Sequence, residues 1–367
     1  MIVAHLSDLH LGYRAYAHVE QGRNVRETDV TRAFHQAVEM VIELKPAVVM
    51  VAGDVFDRPE PPHSALVALA QGLQALREAL PDTPVLLVAG ARDTPAPLGD
   101  PGPLATFDTM SAVEAVTGTT RSVYYSQLGL NVTLVPHRAT LQGPPPPVAP
   151  NPEAQWNVLV GYGSADGGDE AMLALNPSDW DYVALGYEHH RRRVGRPVHY
   201  AGSLERVGPT PWEEAAEEKG FLTCDLESGC VRFHAIHGRP VVSLASIPYE
   251  SKRPERLRER VQEVLDEVPG GIEEKIVRIR IVGLPPERLD LLQGLLPEYR
   301  QRALHLEVQL DDGPTGGEMR EEERPSVRMA TRLAERLAQE RGGSPEGGES
   351  LEDLVRLVEE CLPTQNE

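Results

Sequence analysis

The stretch "AVVMVAGDVFDR" (47–58) decides the fold. Its first part is a continuous apolar run with the length of a buried strand, and the run ends at Gly53 and Asp54. Similar runs occur before and after it, "IVAHLS" (2–7) and "VLLVAG" (85–90), and amphipathic helical patterns separate the three. Such an alternation is typical of βαβ units around a mostly parallel sheet. The sequence therefore predicts an α/β fold with a site at the carboxyl ends of these strands.

The two helical patterns lie between these strands. In "TDVTRAFHQAVEMVIELKP" (28–46), apolar residues recur on one helical face, and we expect Thr28 or Asp29 to cap the start and Pro46 to mark the end. The second pattern is "SALVALAQGLQALREAL" (64–80). Further strand patterns follow, and they end in a hairpin with its predicted turn at 227–229.

The pattern changes after about residue 240. We predict a first domain over 1–238 and a small α+β domain over 239–311, which reads strand, helix, strand, helix, strand. A polar, Gly-containing linker is predicted for 312–325. Two short amphipathic helices are predicted for 326–367, and they form a candidate partner-binding tail.

Composition limits the classes of function. The chain has 367 residues and a formal net charge of −20, which argues against a general nucleic-acid coat. A local basic cluster, "HHRRRVGR" (189–196), offers Arg191, Arg192 and Arg193 as candidate substrate-binding residues, and a solvated loop is the alternative. Three cysteines, no membrane-length apolar run and no signal-peptide pattern favour a reducing, cytoplasmic location.

Polar residues that suit a metal ion follow four of the predicted strands. Two residues apart in an extended segment, Asp8 and His10 would point the same way. Together, Asp and His suit a divalent ion such as Mn²⁺, Fe²⁺ or Zn²⁺. The strand-end residues are Asp8, His10, Asp54, Asp57, Asp93, Glu188, His189 and His190. Because open α/β sheets build their sites at strand ends, we expect these residues to converge.

This order of motifs resembles the calcineurin-like metallophosphoesterases. The stretches "MIVAHLSDLHLG", "DVFDRPEPP", "YVALGYEHH" and "VHYAGSLERV" look like the SbcD-type DNA repair exonuclease subunits in particular. The resemblance implies a β-sandwich flanked by helices, a small α+β capping domain and C-terminal helices. It also implies two divalent ions, with Mn²⁺ the expected metal, about 3.5 to 4 Å apart.

Only one of the two ligand sets implied by the resemblance is complete. For the first ion the matching positions are Asp8, His10, Asp54 and His189, and all are present. The second ion shares Asp54, but its other positions read Ala91, Tyr162 and Tyr187. Glu188 or His190 as a displaced ligand is an alternative. We therefore expect one bound ion instead of two.

The proton-handling histidine of the family is also replaced. Its position reads Arg92, beside the retained Asp93, and an arginine cannot act as a general acid or base near neutral pH. Two roles for Arg92 are compatible: contact with a DNA phosphate, or filling the space of the second ion and pairing with Asp54 or Asp93. The catalytic roles of Arg92 and Asp93 are therefore in doubt.

Three functions follow from these observations. The first is an impaired or inactive SbcD-type subunit with one metal ion, which binds DNA ends together with an SbcC-type ATPase docked on the tail. The second is an active Mn²⁺-dependent DNA exonuclease or endonuclease that uses a single ion or a rearranged second site. The third is a small-molecule phosphodiesterase. A homodimer is left open.

Overall fold

The computed structural model describes residues 1–96, 99–141, 148–165 and 176–311. The predicted linker (312–325) and helical tail (326–367) lie outside the described residues. Among the described helices, none is both long and apolar enough to cross a membrane.

Strands and helices alternate through the first third of the chain. The strands are β1 (Ile2–Leu6), β2 (Val19–Glu20), β3 (Arg23–Asn24), β4 (Val48–Ala52), β5 (Val85–Val88), β6 (Val113–Val116), β7 (Arg121–Tyr125), β8 (Leu130–Val135), β9 (Trp156–Tyr162), β10 (Tyr182–Gly186), β11 (Arg192–Arg193), β12 (Val198–Tyr200), β13 (Lys219–Asp225), β14 (Cys230–Ile236), β15 (Val241–Ser243), β16 (Ile247–Pro248), β17 (Ile276–Val282) and β18 (His305–Asp311). The α-helices are α1 (Val25–Leu44), α2 (His63–Ala79), α3 (His137–Leu141), α4 (Glu255–Asp266) and α5 (Leu296–Arg302). Pro103–Thr109, Pro177–Asp179 and Pro286–Leu292 are 3-10 helices.

Two six-stranded mixed sheets form the main architecture. Their strand orders are β14-β13-β1-β4-β5-β6 and β11-β12-β10-β9-β8-β7. In the first sheet β1, β4, β5 and β6 are parallel, and in the second β8, β9, β10 and β12 are parallel. The predicted α/β sandwich flanked by helices is confirmed, and the hairpin predicted around 227–229 joins antiparallel β13 and β14.

Alternate residues of each central strand serve different cores. In β4, Val48 and Met50 lie in a core between the sheets, together with Tyr182 and Ala184 of β10. Their neighbours Val49 and Val51 pack on the opposite side, in a core with α1 and α2. Because successive side chains of a strand point to opposite faces, a strand covered on both faces has the continuous apolar pattern seen in the sequence. Packing on both faces of the central strands holds in place the strand ends at which the site forms.

Two local predictions are wrong. The helix α1 starts at Val25 and not after Thr28 or Asp29, because the Asn24 side chain accepts a hydrogen bond from the Arg26 amide and caps the helix there. The helix predicted in "PPERLDLLQGLL" is a 3-10 turn followed by α5, separated at Gly294, whose φ of 112° ends a helix.

The chain divides into two compact units. The first contains Met1–Ser243, Pro269–Arg278 and Glu298–Glu307. The described part of the second contains Leu244–Val268, Ile279–Pro297 and 308–311. The predicted α+β segment (239–311) therefore contributes to both units, and the predicted domain boundaries stay a prediction.

A buried ion network anchors α1 in the first unit. The Asp29 carboxylate accepts hydrogen bonds from Arg26 Nη1 at 2.8 Å and from Arg239 at 2.7 and 3.0 Å. Asp29 is 4% exposed and Arg26 1%. Removing one member of a buried network leaves the remaining charges without compensation.

We expect Asp29→Ala to lower the free energy of unfolding by about 3–5 kcal/mol, because it removes the buried carboxylate that the Arg26 and Arg239 guanidinium groups share. Urea unfolding followed by circular dichroism measures the change. The matched control is Glu39→Ala on the exposed face of the same helix, which should change the free energy of unfolding by no more than about 0.5 kcal/mol. Equal stability of the two variants would show that the network does not hold α1.

Candidate metal centre and cleft

Backbone hydrogen bonds join the loop that follows β1 to the loop that follows β4. The Asp8 amide donates to the Gly53 carbonyl at 3.1 Å, and the His10 amide donates to the Asp54 carbonyl at 2.9 Å. Asp8, His10 and Asp54 have φ values of 50°, 47° and 45°. The expectation that Asp8 and His10 share an extended segment is therefore wrong: left-handed backbone brings them together. Such conformations cost free energy and cluster at functional sites.

Asp8, His10 and His189 supply the donor atoms of the candidate metal centre. One ligand atom from each lies within 4.8 Å of the other two, and Asp8 and His10 are buried. The Nε2 atoms of His10 and His189 are 3.1 Å apart. An ion bound by two imidazole nitrogens at about 2.1 Å each requires them within about 4.2 Å of one another. The donor set therefore fits a divalent ion.

A carboxylate lies near Nδ1 of each of the two histidines. Nδ1 of His10 is 3.2 Å from Asp57 Oδ1, which leaves Nε2 to face the site. Burial alone would lower the pKa of His10. The hydrogen bond with Asp57 and the nearby carboxylate charges have the larger, opposite effect, so the pKa of His10 is raised. Burial, with the neighbouring His10 and Lys219, lowers the pKa of His189 to about 3, so this ring is neutral and able to bind a metal. The sequence places Asp57 shortly after the strand β4, but it does not predict that Asp57 orients the His10 ring.

Asp54 lies beside this set, and both of its oxygens are taken by protein donors. Its Oδ2 is 3.9 Å from His10 Nε2. The Arg92 amide donates to Oδ1 and the Tyr162 hydroxyl donates to Oδ2, each at 2.8 Å. Gly90 permits this approach, because a Cβ there would lie 2.2 Å from Asp54 Oδ1. Both oxygens of the predicted bridging carboxylate are thus hydrogen-bonded by the protein, and the oxygen that accepts from Tyr162 is also the one that lies 3.9 Å from His10 Nε2.

Aromatic rings occupy the positions of the missing ligands. The Tyr162 ring lies 5.7 Å from that of Tyr187 in an edge-to-face arrangement, and Tyr162 is 3% exposed. Burial, reinforced by the Asp54 and Asp8 carboxylates, raises the pKa of Tyr162 far above its usual value. Its phenol therefore stays neutral and serves as a hydrogen-bond donor, which sequence reasoning did not foresee. Ala91 has no donor atom in its side chain.

The side chains of Asp93 and Arg92 have different surroundings. The Asp93 carboxylate accepts hydrogen bonds from the amides of Val55, Phe56 and Gly90 at 2.8–3.0 Å, so it joins the loops after β4 and β5. Burial, with the Asp54 charge, raises the pKa of Asp93 to about 7. Arg92 is exposed, and its guanidinium forms no hydrogen bond or ion pair with a described residue. The predicted pairing of that guanidinium with Asp54 or Asp93 is absent from the described contacts.

Glu188 and His190, the alternative ligands for the second ion, interact with other side chains. Glu188 forms an ion pair with Arg192, and His190 Nδ1 lies 2.8 Å from Glu217. Arg191 stacks on the Phe233 ring at 3.8 Å. Neither Glu188 nor His190 joins the three-residue donor set. Of the candidate substrate-binding arginines, Arg191 and Arg193 are exposed, whereas Arg192 is partly neutralised by Glu188.

A cleft of about 410 Å³ opens beside the donor set. Its walls include His10 and His189 from the metal centre, Arg92, and the aromatic rings of Tyr13 and Tyr16. This volume lies within the range of small-ligand sites. The cleft therefore gives a phosphate-sized group access to both the donor set and the Arg92 side chain.

The metal-free protein should become less stable as pH rises, and Asp8→Asn should reduce that loss. Burial, with the Asp54 charge, raises the pKa of Asp8 from 3.8 to about 8. Between these values the folded protein holds a proton that the unfolded chain releases, so stability falls with rising pH. We expect Asp8→Asn to raise stability at pH 8 by a few kcal/mol.

Urea unfolding in the presence of a chelator, at pH 5 and pH 8, measures this difference. The variant should also lose the rise in unfolding temperature that Mn²⁺ gives the parent protein, because one ligand has been removed. An equal loss of stability from pH 5 to pH 8 in both proteins would contradict the assignment.

Comparison with known proteins agrees with this geometry. DNA double-strand break repair protein Mre11 of Methanopyrus kandleri is 26% identical over 299 residues, which cover 71% of this chain and 62% of that protein. The Mre11 protein of Sulfolobus acidocaldarius is 22% identical over 84% of this chain and 82% of its own length. That of Methanococcus maripaludis is 36% identical over 95 residues, and the chain spans only 24% of its length.

The profile of the calcineurin-like phosphoesterase family matches residues 1–191, more than half of the 367 residues. The sequence resemblance is thereby confirmed. The protein belongs to the calcineurin-like phosphoesterase family and is a distant homologue of the Mre11 DNA double-strand break repair proteins.

Proposed function

We propose that this protein is an Mre11/SbcD-type subunit that binds DNA ends through a single divalent metal ion and has little or no nuclease activity. The observation that carries the proposal is the hydrogen bond from Tyr162 to Asp54 Oδ2 at 2.8 Å. The phenol occupies one oxygen of the carboxylate that two ions would have to share. With Ala91 and Tyr187 at the other two ligand positions, the second ligand set has only its shared member.

The residues that remain can bind a phosphate but lack a group to protonate a leaving oxygen. Asp8, His10 and His189, with Asp54 beside them, would hold the ion, and their oxygen and imidazole donors suit Mn²⁺. When bound, the ion supplies Lewis-acid stabilisation of phosphate charge. Arg92 stands where the family has its proton-handling histidine, and an arginine cannot act as a general acid or base near neutral pH. Loss of general acid catalysis alone costs about 100-fold or more in rate.

An active single-ion nuclease is the second candidate, because the first donor set is complete and an open cleft adjoins it. Nuclease assays separate the two candidates. Turnover of a simple aryl phosphodiester without DNA binding would instead favour a small-molecule phosphodiesterase, for which the cleft volume is also suitable.

An arginine-rich edge supports the DNA-binding part of the proposal. Arg191 stacks on Phe233 of the edge strand β14, and a Cβ on Gly229, in the turn before β14, would lie 3.1 Å from Arg196 Nη2. Arg193 and Arg232 are also exposed, and none of these four arginines pairs with a described carboxylate. On a chain with a net charge of −20, such a local cluster suits a phosphate backbone.

The proposed partner is an SbcC-type ATPase that docks on the predicted tail. In the sequence, Leu333 and Leu337 continue an i, i+4 stripe in the first tail helix, and Leu351 and Val355 do so in the second. Amphipathic helices of this length need a surface on which to bury their stripe. A cytoplasmic location is part of this proposal.

We expect one Mn²⁺ per chain in the parent protein, and two in the combined variant Ala91→Asn, Arg92→His, Tyr162→His and Tyr187→His. The variant restores the missing ligands and the proton-handling histidine, and should raise Mn²⁺-dependent cleavage of DNA ends by about 100-fold or more. Metal content by mass spectrometry and a gel assay with end-labelled DNA measure both quantities.

The control for this experiment is the same combined variant with Asp54→Ala added, which should lose the gained cleavage. Single restorations should do little, because the ligands of one ion act as a unit. Two ions in the parent protein, with cleavage that Asp54→Ala abolishes, would overturn the proposal in favour of an active nuclease.

Removing the predicted tail should separate partner binding from metal binding. We expect a chain that ends at residue 324 to keep its Mn²⁺ site and its unfolding temperature, and to lose binding to an SbcC-type ATPase in a pull-down. The full chain serves as control. Undiminished ATPase binding by the shortened chain would contradict the docking role of the tail.

A further inference from the structure

The backbone amide of Arg92 is held at the metal centre, whereas its guanidinium group is exposed. Its amide donates to Asp54 Oδ1 at 2.8 Å, so the residue cannot leave the metal centre without breaking that bond. Its guanidinium is exposed, lines the cleft beside His10 and His189, and has no hydrogen bond or ion pair with a described residue. An arginine held in this way can bind an anion that enters the cleft.

The carboxylates nearest to Arg92 are occupied by other donors. The oxygens of Asp54 accept from the Arg92 amide and the Tyr162 hydroxyl. Those of Asp93 accept from three backbone amides. Asp57 is 3.2 Å from His10 Nδ1 and also lies near Arg58. These three carboxylates therefore leave the guanidinium available to a ligand, and Glu307, which also lines the cleft, forms no ion pair with it among the described residues.

We propose that this cleft receives the terminal phosphate monoester of a nucleic-acid strand, with Arg92 and the ion held by Asp8, His10 and His189 as its two cationic partners. The inference rests on the proposed function and specifies the group that the single-ion site recognises. The ligand remains bound without bond cleavage, because an arginine cannot act as a general acid at neutral pH and the Tyr162 hydroxyl already donates its proton to Asp54.

The chemistry of the two cationic partners favours a monoester over an internal diester. A phosphate monoester carries a charge of about −1.5 to −2 at neutral pH and three terminal oxygens. The guanidinium fork can bind two of these oxygens, which leaves one for the ion. An internal diester has a single charge and two non-bridging oxygens, so it cannot satisfy both partners as fully. The cleft volume of about 410 Å³ suits one terminal nucleotide.

The same geometry makes phosphate binding depend on the ion. Without it, the buried Asp54 carboxylate beside the cleft repels a dianion, and Arg92 alone offers one compensating charge. With a divalent ion bound, the sign of the local field is reversed. A terminal phosphate should therefore add affinity only in the presence of Mn²⁺.

Fluorescence anisotropy of the full chain tests the proposal with two short single-stranded oligonucleotides of one sequence. Both carry an internal fluorophore; one has phosphates at both ends and the other has hydroxyls. In Mn²⁺ we expect the phosphorylated strand to bind about tenfold or more tightly than the other, since hydrogen bonds to charged groups contribute about 1.5–3 kcal/mol. A chelator should abolish the preference, and a gel should show both strands intact after binding.

Three variants test whether the preference for the phosphorylated strand depends on Arg92. Arg92→Ala should remove the preference while the hydroxyl-ended strand binds as before, and Arg92→Lys should keep only part of it because an ammonium lacks the planar fork. Arg193→Ala, on the basic edge, should weaken both strands by the same factor, as expected for contact with the backbone. Metal content measured on each variant shows that the ion is still bound.

Equal binding of both strands by a protein that holds one ion and cleaves neither strand would overturn this inference and leave the proposed function intact. Displacement of the phosphorylated strand by an equal concentration of inorganic phosphate would assign the cleft to the free anion and also overturn it. Two bound ions with cleavage of either strand would instead refute the proposed function itself.

Discussion

The metal centre depends on how the Asp54 carboxylate is held. Two protein donors, the Arg92 amide and the Tyr162 hydroxyl, each lie 2.8 Å from one of its oxygens. A buried carboxylate without such partners would carry a desolvation penalty of several kcal/mol. The first donor comes from the loop after β5, and the second from the end of β9 in the other sheet. One side chain therefore joins three strand ends of the sandwich at the point where the site forms.

Other acidic side chains connect the loops in the same way. Asp8 accepts from the Tyr187 amide at 3.1 Å, and Asp93 accepts from amides of the loops after β4 and β5. Each carboxylate thus satisfies backbone donors that a strand end would otherwise leave unpaired. The left-handed backbone at Asp8, His10 and Asp54 is the conformational cost of this arrangement. The hydrogen bonds that join these loops therefore use protein donors and acceptors.

The sequence allowed prediction of parallel strands that alternate with helices and of the donor residues at the strand ends, but not of how those residues are held. Apolar runs separated by helical patterns indicate buried parallel strands, and the carboxyl ends of such strands meet at one edge of a sheet, which brings the residues after β1 and β4 together. His189 follows β10 of the other sheet, and the packing of the two sheets brings it to Asp8 and His10. The φ values of Asp8 and His10 depend on tertiary hydrogen bonds to the loop after β4, which no local pattern encodes. The Asn24 cap was not predicted, because the charged residues Arg26, Glu27 and Asp29 hide the buried first turn of α1 from a search for apolar positions.

The replacements at the second ligand set form a consistent electrostatic exchange. A divalent ion would have neutralised Asp54 and attracted phosphate at the same time. Here the Tyr162 phenol performs the first task, since a neutral donor stabilises the carboxylate without needing three further ligands. The second task requires a positive charge that faces the cleft, and Arg92, next in sequence to the Ala91 that lacks a ligand atom, supplies it. Under the proposed function, this exchange separates phosphate binding from phosphate hydrolysis, because a guanidinium attracts phosphate but cannot exchange a proton at neutral pH.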